Sequence, residues 1–491
     1  MMFEDVTLPP PSRRIFCNRT LNLRSIQAIG FDMDYTLVHY QVEAWEACAY
    51  EHARGRLLAD GLPVADLKFD PELATIGLIV DSELGNLVKA NRFGYVKRAC
   101  HGTAMMEFEA QRTAYERTVV DLADRRWVFA NTLFSLSESC LYMQLVDLCD
   151  QGKLIGTSLA HVSYAKLYER VRQVLDASHV EGQLKAEIMR DPDRFVVVDP
   201  ELPLALMDQR ASGKKLCLIT NSEWTYTTAM MAHIFDPFLE GIGLGGRGWR
   251  SLFDLVMVSA RKPAFFTERM PAFEVIDEEG RLLPRTGKLE IGKAYLGGHA
   301  GLIEQSLRLR GEDILYVGDH IFADVNISKS SNRWRTGLVL RELERELFAL
   351  ESFKPAQREL TRLMNEKEHL EHRYSLMRVT VQRIEKGYGP RSASLDMGRL
   401  RADMRELRAQ LVGLDEKIAP LARRSGELGN ARWGLILRTG NDKSHLARQI
   451  ERHADVYTSR VANLLASTPF VYLRSPRGSL PHDSGPEGGV E

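Results

Sequence analysis

A short apolar run that ends in polar residues recurs along this chain, and it constrains the fold more than any other feature. It occurs as "IQAIGFDMD" (26–34), "KKLCLITNS" (214–222), "LFDLVMVSARKP" (252–263) and "DILYVGDHIFAD" (313–324). Each run is rich in β-branched and aliphatic residues, is shorter than a globular helix and is bounded by turn residues. It therefore reads as a strand buried on both faces. Helix-period stretches separate the last three runs, as in "AYLGGHAGLIEQSLRLRG" ahead of "DILYVGD". Strands alternating with helices imply an α/β fold with a parallel sheet covered on both faces. In such sheets ligands bind beyond the carboxyl ends of the strands, and all four runs deliver their polar residues there.

Residues 35–213 are far more than one crossover needs. They contain helical patterns such as "SYAKLYERVRQVLDASHVEGQLKAEIM". The expected layout is a catalytic core of 14–40 and 191–345 with an inserted cap over 41–190. Beyond it, Ala356, Leu360, Leu363, Leu370, Tyr374, Met377, Val381 and Ile384 follow a heptad seam that Lys367 interrupts. After "GYGPRSAS" the seam resumes at Leu400, Met404, Leu407, Leu411, Leu414, Ile418 and Leu421. Two seams joined by a Gly-Pro turn predict an antiparallel helical hairpin over 352–422. A helical segment packing on the core is expected over 423–477, and a flexible tail over 478–491.

Charge and composition narrow the function. A formal net charge of -1 gives no general attraction to nucleic acid or an anionic membrane. No run approaches the roughly 18 apolar residues of a membrane span, and the N-terminus lacks the basic start and apolar run of a secretion signal. The 6 cysteines are scattered without a C-x-x-C pair, as suits reduced thiols in the cytoplasm. An apolar content of 44% over 491 residues leaves ample material for an enzyme core.

The strand ends carry the chemistry. "DMDYT" places Asp32 and Asp34 one residue apart, where like charges repel; "TNS" adds Thr220, Asn221 and Ser222; "ARKP" adds Lys262; "GDHIFAD" adds Asp319 and Asp324. Each cluster alone has an ordinary explanation as a turn, a cap or a surface lysine. Together they meet the needs of phosphoryl transfer: a nucleophile, an acid for the leaving oxygen, and cations around the equatorial oxygens. Asp32 suits covalent attack and Asp34 general acid/base catalysis. Asp319 with Asp32 offers hard oxygen ligands for Mg²⁺, while Lys262 and Thr220 suit the phosphoryl oxygens.

These ordered motifs resemble those of the haloacid dehalogenase superfamily. The wider strings "FDMDYTLVHY", "HGTAMMEF", "NTLFSLSESCL", "RKPAFF", "DILYVGDHIFADV" and "WRTGLVLRELEREL" are similar to the cytosolic purine 5′-nucleotidase family, which prefers IMP and GMP. The resemblance implies a Rossmann-like core and a phospho-aspartate on Asp32. It implies Mg²⁺ on Asp32, Asp319 and the main-chain carbonyl of Asp34, with support from Asp324. It also implies phosphate contacts from Asn221 and Ser222 beside Thr220 and Lys262. Arg172, Asp176, His179 and Lys185 in "RQVLDASHVEGQLK" would read the nucleoside, and Phe134 would stack on the base. Phosphotransfer to nucleosides and a homo-oligomer are further implications. The family's nucleotide-effector site falls near Asn131 and in "ARQIERHADVY". There Gln449 and Arg452 match, while His453 stands where an aromatic hydroxyl is expected. The competing readings are the same phosphatase chemistry on another phosphomonoester, and a non-catalytic scaffold built on the hairpin.

Overall fold

The computed structural model describes residues 9–180, 182–390 and 396–476, with only the backbone path at 178–180. The chain divides into two compact units, 1–344 with 436–491, and 345–435.

The first unit is built on a ten-stranded sheet. Its order from edge to edge is Phe16–Cys17, Val456–Thr458, Arg335–Val339, Ile314–Gly318, Ala28–Phe31, Lys215–Ile219, Leu255–Val258, Lys293–Gly297, Ala272–Val275 and Leu282–Arg285. All four expected strands sit side by side in the middle. They run parallel, with Phe31 level with Val317 on one side and Leu218 on the other, and Ile219 level with Met257. Because the strands end in register, the residues that follow them emerge along one edge. Every residue of Ala28–Phe31, Leu255–Val258 and Ile314–Gly318 is buried, as unbroken apolar runs require.

The structure corrects the local reading in three places. "AYLGG", read as the start of a helix, belongs to the strand Lys293–Gly297; the helix begins only at Ala300. The 423–477 segment is not simply helical, because Val456–Thr458 joins the main sheet parallel to Arg335–Val339. The 41–190 insertion holds a five-stranded antiparallel sheet besides its helices, in the order Ala104–Met105, Val96–His101, Asn86–Ala90, Leu78–Asp81, Trp127–Ala130. The chain enters and leaves the insertion side by side, since His39–Tyr40 pairs antiparallel with Val196–Val197.

The second unit contains most of the helix Leu343–Lys386 and all of Met397–Gly426. Leu363, Leu414 and Ile418 are buried in their seam, flanked by Leu360, Leu370 and Leu421. Lys367, the polar interruption, reaches across to Asp415 with Nζ to Oδ1 at 2.6 Å; a polar group at a seam position fixes register. Toward the turn, Ile384 of the seam is 43% exposed. The expected tail over 478–491 lies outside the described residues.

Candidate active site

The two aspartates of "DMDYT" leave the strand end in different directions. Asp32 stays in register: its N–H donates to Val317 O at 2.9 Å, and its Oδ1 accepts from Met33 N–H at 2.7 Å and from Lys262 Nζ at 2.8 Å. Asp34 turns away. Its Oδ1 accepts from the Tyr40 hydroxyl at 2.5 Å and its Oδ2 from the Ser222 hydroxyl at 2.8 Å. Separate partners thus offset part of the repulsion that their spacing creates.

Lys262 is the buried hub. Its Nζ lies 2.8 Å from both Asp32 Oδ1 and Asp324 Oδ1, and donates to the Tyr316 hydroxyl at 3.1 Å. Burial disfavours its ammonium, but Asp32 and Asp324 overcome that and hold it well above the ordinary lysine range. Ser259 and Arg261, in the approach to this lysine, and Tyr35, directly after Asp34, have left-handed φ of 46°, 59° and 54°. Non-glycine residues in that region cost of order 1–3 kcal/mol each and persist only where surrounding packing holds them. Asn221 holds the lysine's main chain, accepting from Lys262 N–H at 2.6 Å and donating to Lys262 O at 3.2 Å. Thr220 is fully buried, and its Oγ1 accepts from Ser222 N–H at 3.0 Å.

Asp32, Asp319 and Asp324 form a carboxylate cluster whose oxygens lie within 4.8 Å of one another. Burial pushes Asp32 up to about 7 against the pull of Lys262, with Asp324 and Asp34 adding to the rise. Asp319 is raised well above the carboxylate range by burial and then by Asp32 and Asp324. Asp32 and Asp324 are buried and Asp319 is half-buried; fully ionised, the three would carry more negative charge than the single Lys262 neutralises. An all-oxygen donor set of this kind fits a hard divalent ion such as Mg²⁺. Asp324 is set in a π-helical turn, Ile321–Asn326, where its Oδ2 accepts from His320 N–H at 3.2 Å. Glycine permits this approach: a Cβ on Gly318 would stand 2.6 Å from Asp324 Oδ2.

The insertion contributes unevenly. Lys185, on the helix Gln183–Arg190, reaches the strand ends, with Nζ 3.4 Å from Ser222 Oγ, 2.6 Å from Glu223 Oε2 and 4.8 Å above the Tyr226 ring. Phe134 packs edge-on against Tyr35 and Trp45, each at 4.7 Å between ring centroids, so it adjoins the Asp32–Asp34 loop. Arg172 and Asp176 occupy exposed positions of Tyr164–Val180, where their opposite charges act on Glu138. The His179 side chain lies outside the described residues. In the expected effector region, Gln449 bonds His445 at 2.9 Å between Nε2 atoms, and His453 packs 5.9 Å from the Phe322 ring; both are buried.

Sequence reasoning missed the tyrosines. Tyr40 carries Asp34 and lies 2.9 Å from the Tyr226 hydroxyl, while Tyr316 links Lys262 to Ile219 O at 3.2 Å. Tyr316 sits in the apolar run ILYVG, and Tyr40 and Tyr226 lie among mixed residues with no motif to mark them, so all three look like core residues.

A family model described as the 5′ nucleotidase family matches residues 15–485. The chain belongs to the 5′-nucleotidase family. It is accordingly a phosphoric monoester hydrolase. It is 29% identical over 466 residues to the Homo sapiens protein named 5′-nucleotidase domain-containing protein 2, covering 92% of this chain and 81% of that protein. The Rattus norvegicus protein of the same name is 28% identical over 480 residues, covering 92% and 76%. Among solved structures, a predicted phosphoglycolate phosphatase from Haemophilus somnus matches at 14% identity over 64% of this chain and 85% of that one. Its TM-score of 0.26 is too low to bear on function.

Proposed function

We propose that this family member hydrolyses purine ribonucleoside 5′-monophosphates, IMP and GMP ahead of AMP, through a phospho-aspartate on Asp32. The observation that carries the mechanism is the division of labour between two carboxylates. Asp32 is bonded to Lys262, and Asp34 is bonded to Tyr40 and Ser222. With Oδ1 of Asp32 committed to Lys262 and Met33 N–H, Oδ2 is the attacking atom. It forms the bond to phosphorus as the P–O5′ bond breaks, and Asp34 delivers a proton to the leaving oxygen. Asp34 then takes a proton from the water that attacks phosphorus and frees Asp32. Lys262, Thr220 and Ser222 hold the phosphoryl oxygens, and Asn221 acts through the Lys262 main chain it grips. Asp32, Asp319, Asp324 and the Asp34 carbonyl would hold Mg²⁺, which supplies charge neutralisation for the phosphoryl group.

Nucleoside recognition rests on Lys185 beside Ser222, Phe134 beside the catalytic loop, and Arg172 and Asp176 on the helix Tyr164–Val180. The exposure of Arg172 and Asp176 favours a second reading, the same chemistry on another phosphomonoester. A phosphate-release assay over IMP, GMP, AMP, UMP and sugar phosphates, with and without Mg²⁺, separates the two. Preference for IMP and GMP supports the nucleotidase reading, and equal cleavage of a sugar phosphate defeats it. Added nucleoside acceptors in the same assay would reveal phosphotransfer. We further infer a cytoplasmic homo-oligomer, which light scattering at micromolar concentration would refute by reporting a monomer. Among the described residues no helix is long and apolar enough to cross a membrane.

A further inference from the structure

A second donor cluster lies outside the catalytic strand ends. Cys48 and His52 are one turn apart on the helix Val42–Ala59, so they share a face. Glu187, on the helix Gln183–Arg190, meets them there. The Cys48 Sγ, a His52 ring nitrogen and a Glu187 carboxylate oxygen all lie within 4.8 Å of one another. His52 Nε2 is 3.2 Å from Glu187 Oε2. The other oxygen, Glu187 Oε1, is 3.5 Å from Arg194 Nη1. One face of the carboxylate is therefore braced while the other points at the thiol and imidazole.

We propose that Cys48, His52 and Glu187 form a binding site for Zn²⁺ or a cation of similar softness, distinct from the all-oxygen cluster at Asp32. A tetrahedral zinc ion with bonds of about 2.0–2.3 Å sets its ligand atoms about 3.3–3.6 Å apart. The His52–Glu187 separation is already near that value, and the widest separation need close by only about 1 Å. Sulfur, imidazole and carboxylate together favour zinc over magnesium, which prefers oxygen alone. The fourth position is open to water, because the His52 and Glu187 side chains are 27% and 35% exposed. On binding, the Cys48 thiol proton passes to solvent and the thiolate bonds the metal. The ion would tie the helix that follows Tyr40 to the helix that carries Lys185. It would thus bracket the Asp34 network from both sides, whatever the substrate.

The test uses the full chain, stripped of metal, held in excess Mg²⁺ and titrated with Zn²⁺ alone. The expected result is one tight Zn²⁺ per chain, an affinity loss of about 100-fold or more in Cys48→Ser and in His52→Gln, and no loss in Asp319→Ala. Co²⁺ in place of Zn²⁺ should give a thiolate-to-metal charge-transfer band in the unmutated protein, a readout that does not depend on any variant folding. Absence of that band, or Zn²⁺ uptake that persists unchanged in both ligand variants, overturns the assignment and leaves an ordinary His52–Glu187 ion pair.

Discussion

The strand-end cluster and the helix Tyr164–Val180 present their charged residues in opposite ways. At the strand ends, Asp32, Asp34, Lys262 and Asp324 are each fixed by at least two partners. On the helix, Arg172 and Asp176 occupy exposed positions and act on Glu138 across a distance. The difference follows from how each element makes a site. Parallel strands that end in register force whatever follows them into one small space, so each charge must find a partner or stay costly. A helix face sets spacing only, and its polar residues take on a role when something meets them. Under the proposed function, chemistry would be built into the first region, while selectivity in the second would depend on the ligand.

The largest effects should come from the strand ends. Asp319→Ala should bring phosphate release to background and abolish its response to Mg²⁺, because the carboxylate cluster loses a corner; full activity after exhaustive chelation would contradict this. Asp34→Asn should lower kcat by about 10²–10⁴-fold, the usual contribution of a general acid. Tyr40→Phe comes next. It removes one donor to Asp34 and leaves Ser222 in place. A hydrogen bond to a charged group contributes about 1.5–3 kcal/mol, so kcat should fall about tenfold or more. KM should be little changed and the pH–rate profile should shift; an unaltered profile and rate would make Tyr40 a packing residue only. The smallest effect belongs to the helix. Asp176→Ala should shrink the preference for IMP over AMP, expected at roughly 5- to 150-fold from one mismatched buried polar group. Hydrolysis of a small generic phosphate ester should be nearly unaffected. Should Asp176→Ala impair that generic ester as strongly as Asp34→Asn does, the contrast between the two regions would collapse.

The same contrast governs how much of the molecule can be read from sequence. The four central strands were legible because burial on both faces leaves an unbroken apolar signature, and the register of Phe31, Val317 and Leu218 delivers their polar ends to one edge. The antiparallel sheet of the insertion was not legible. Its strands bury Asp81, Asn86 and Lys89 among apolar residues, which blurs the two-residue alternation. Asp81 is there bonded by Arg126 and Tyr115, at 2.7 Å and 2.9 Å, partners far away in sequence. Tyr40 escaped notice for a related reason. A lone tyrosine between His39 and Gln41 has the same sequence pattern whether its hydroxyl faces Asp34 or solvent. Val456–Thr458 was lost because three residues are too few for any period to show.

The central claim is that Asp32 itself carries the phosphoryl group. Its most direct test is to mix the unmutated enzyme, Asp34→Asn and Asp32→Asn with phosphorus-labelled IMP and Mg²⁺, quench in acid, and follow both protein-bound label and released phosphate. The account predicts hydroxylamine-sensitive label on the peptide containing Asp32 in Asp34→Asn. It predicts neither label nor phosphate release in a folded Asp32→Asn. Phosphate release by Asp32→Asn at a rate close to that of the unmutated enzyme would contradict it.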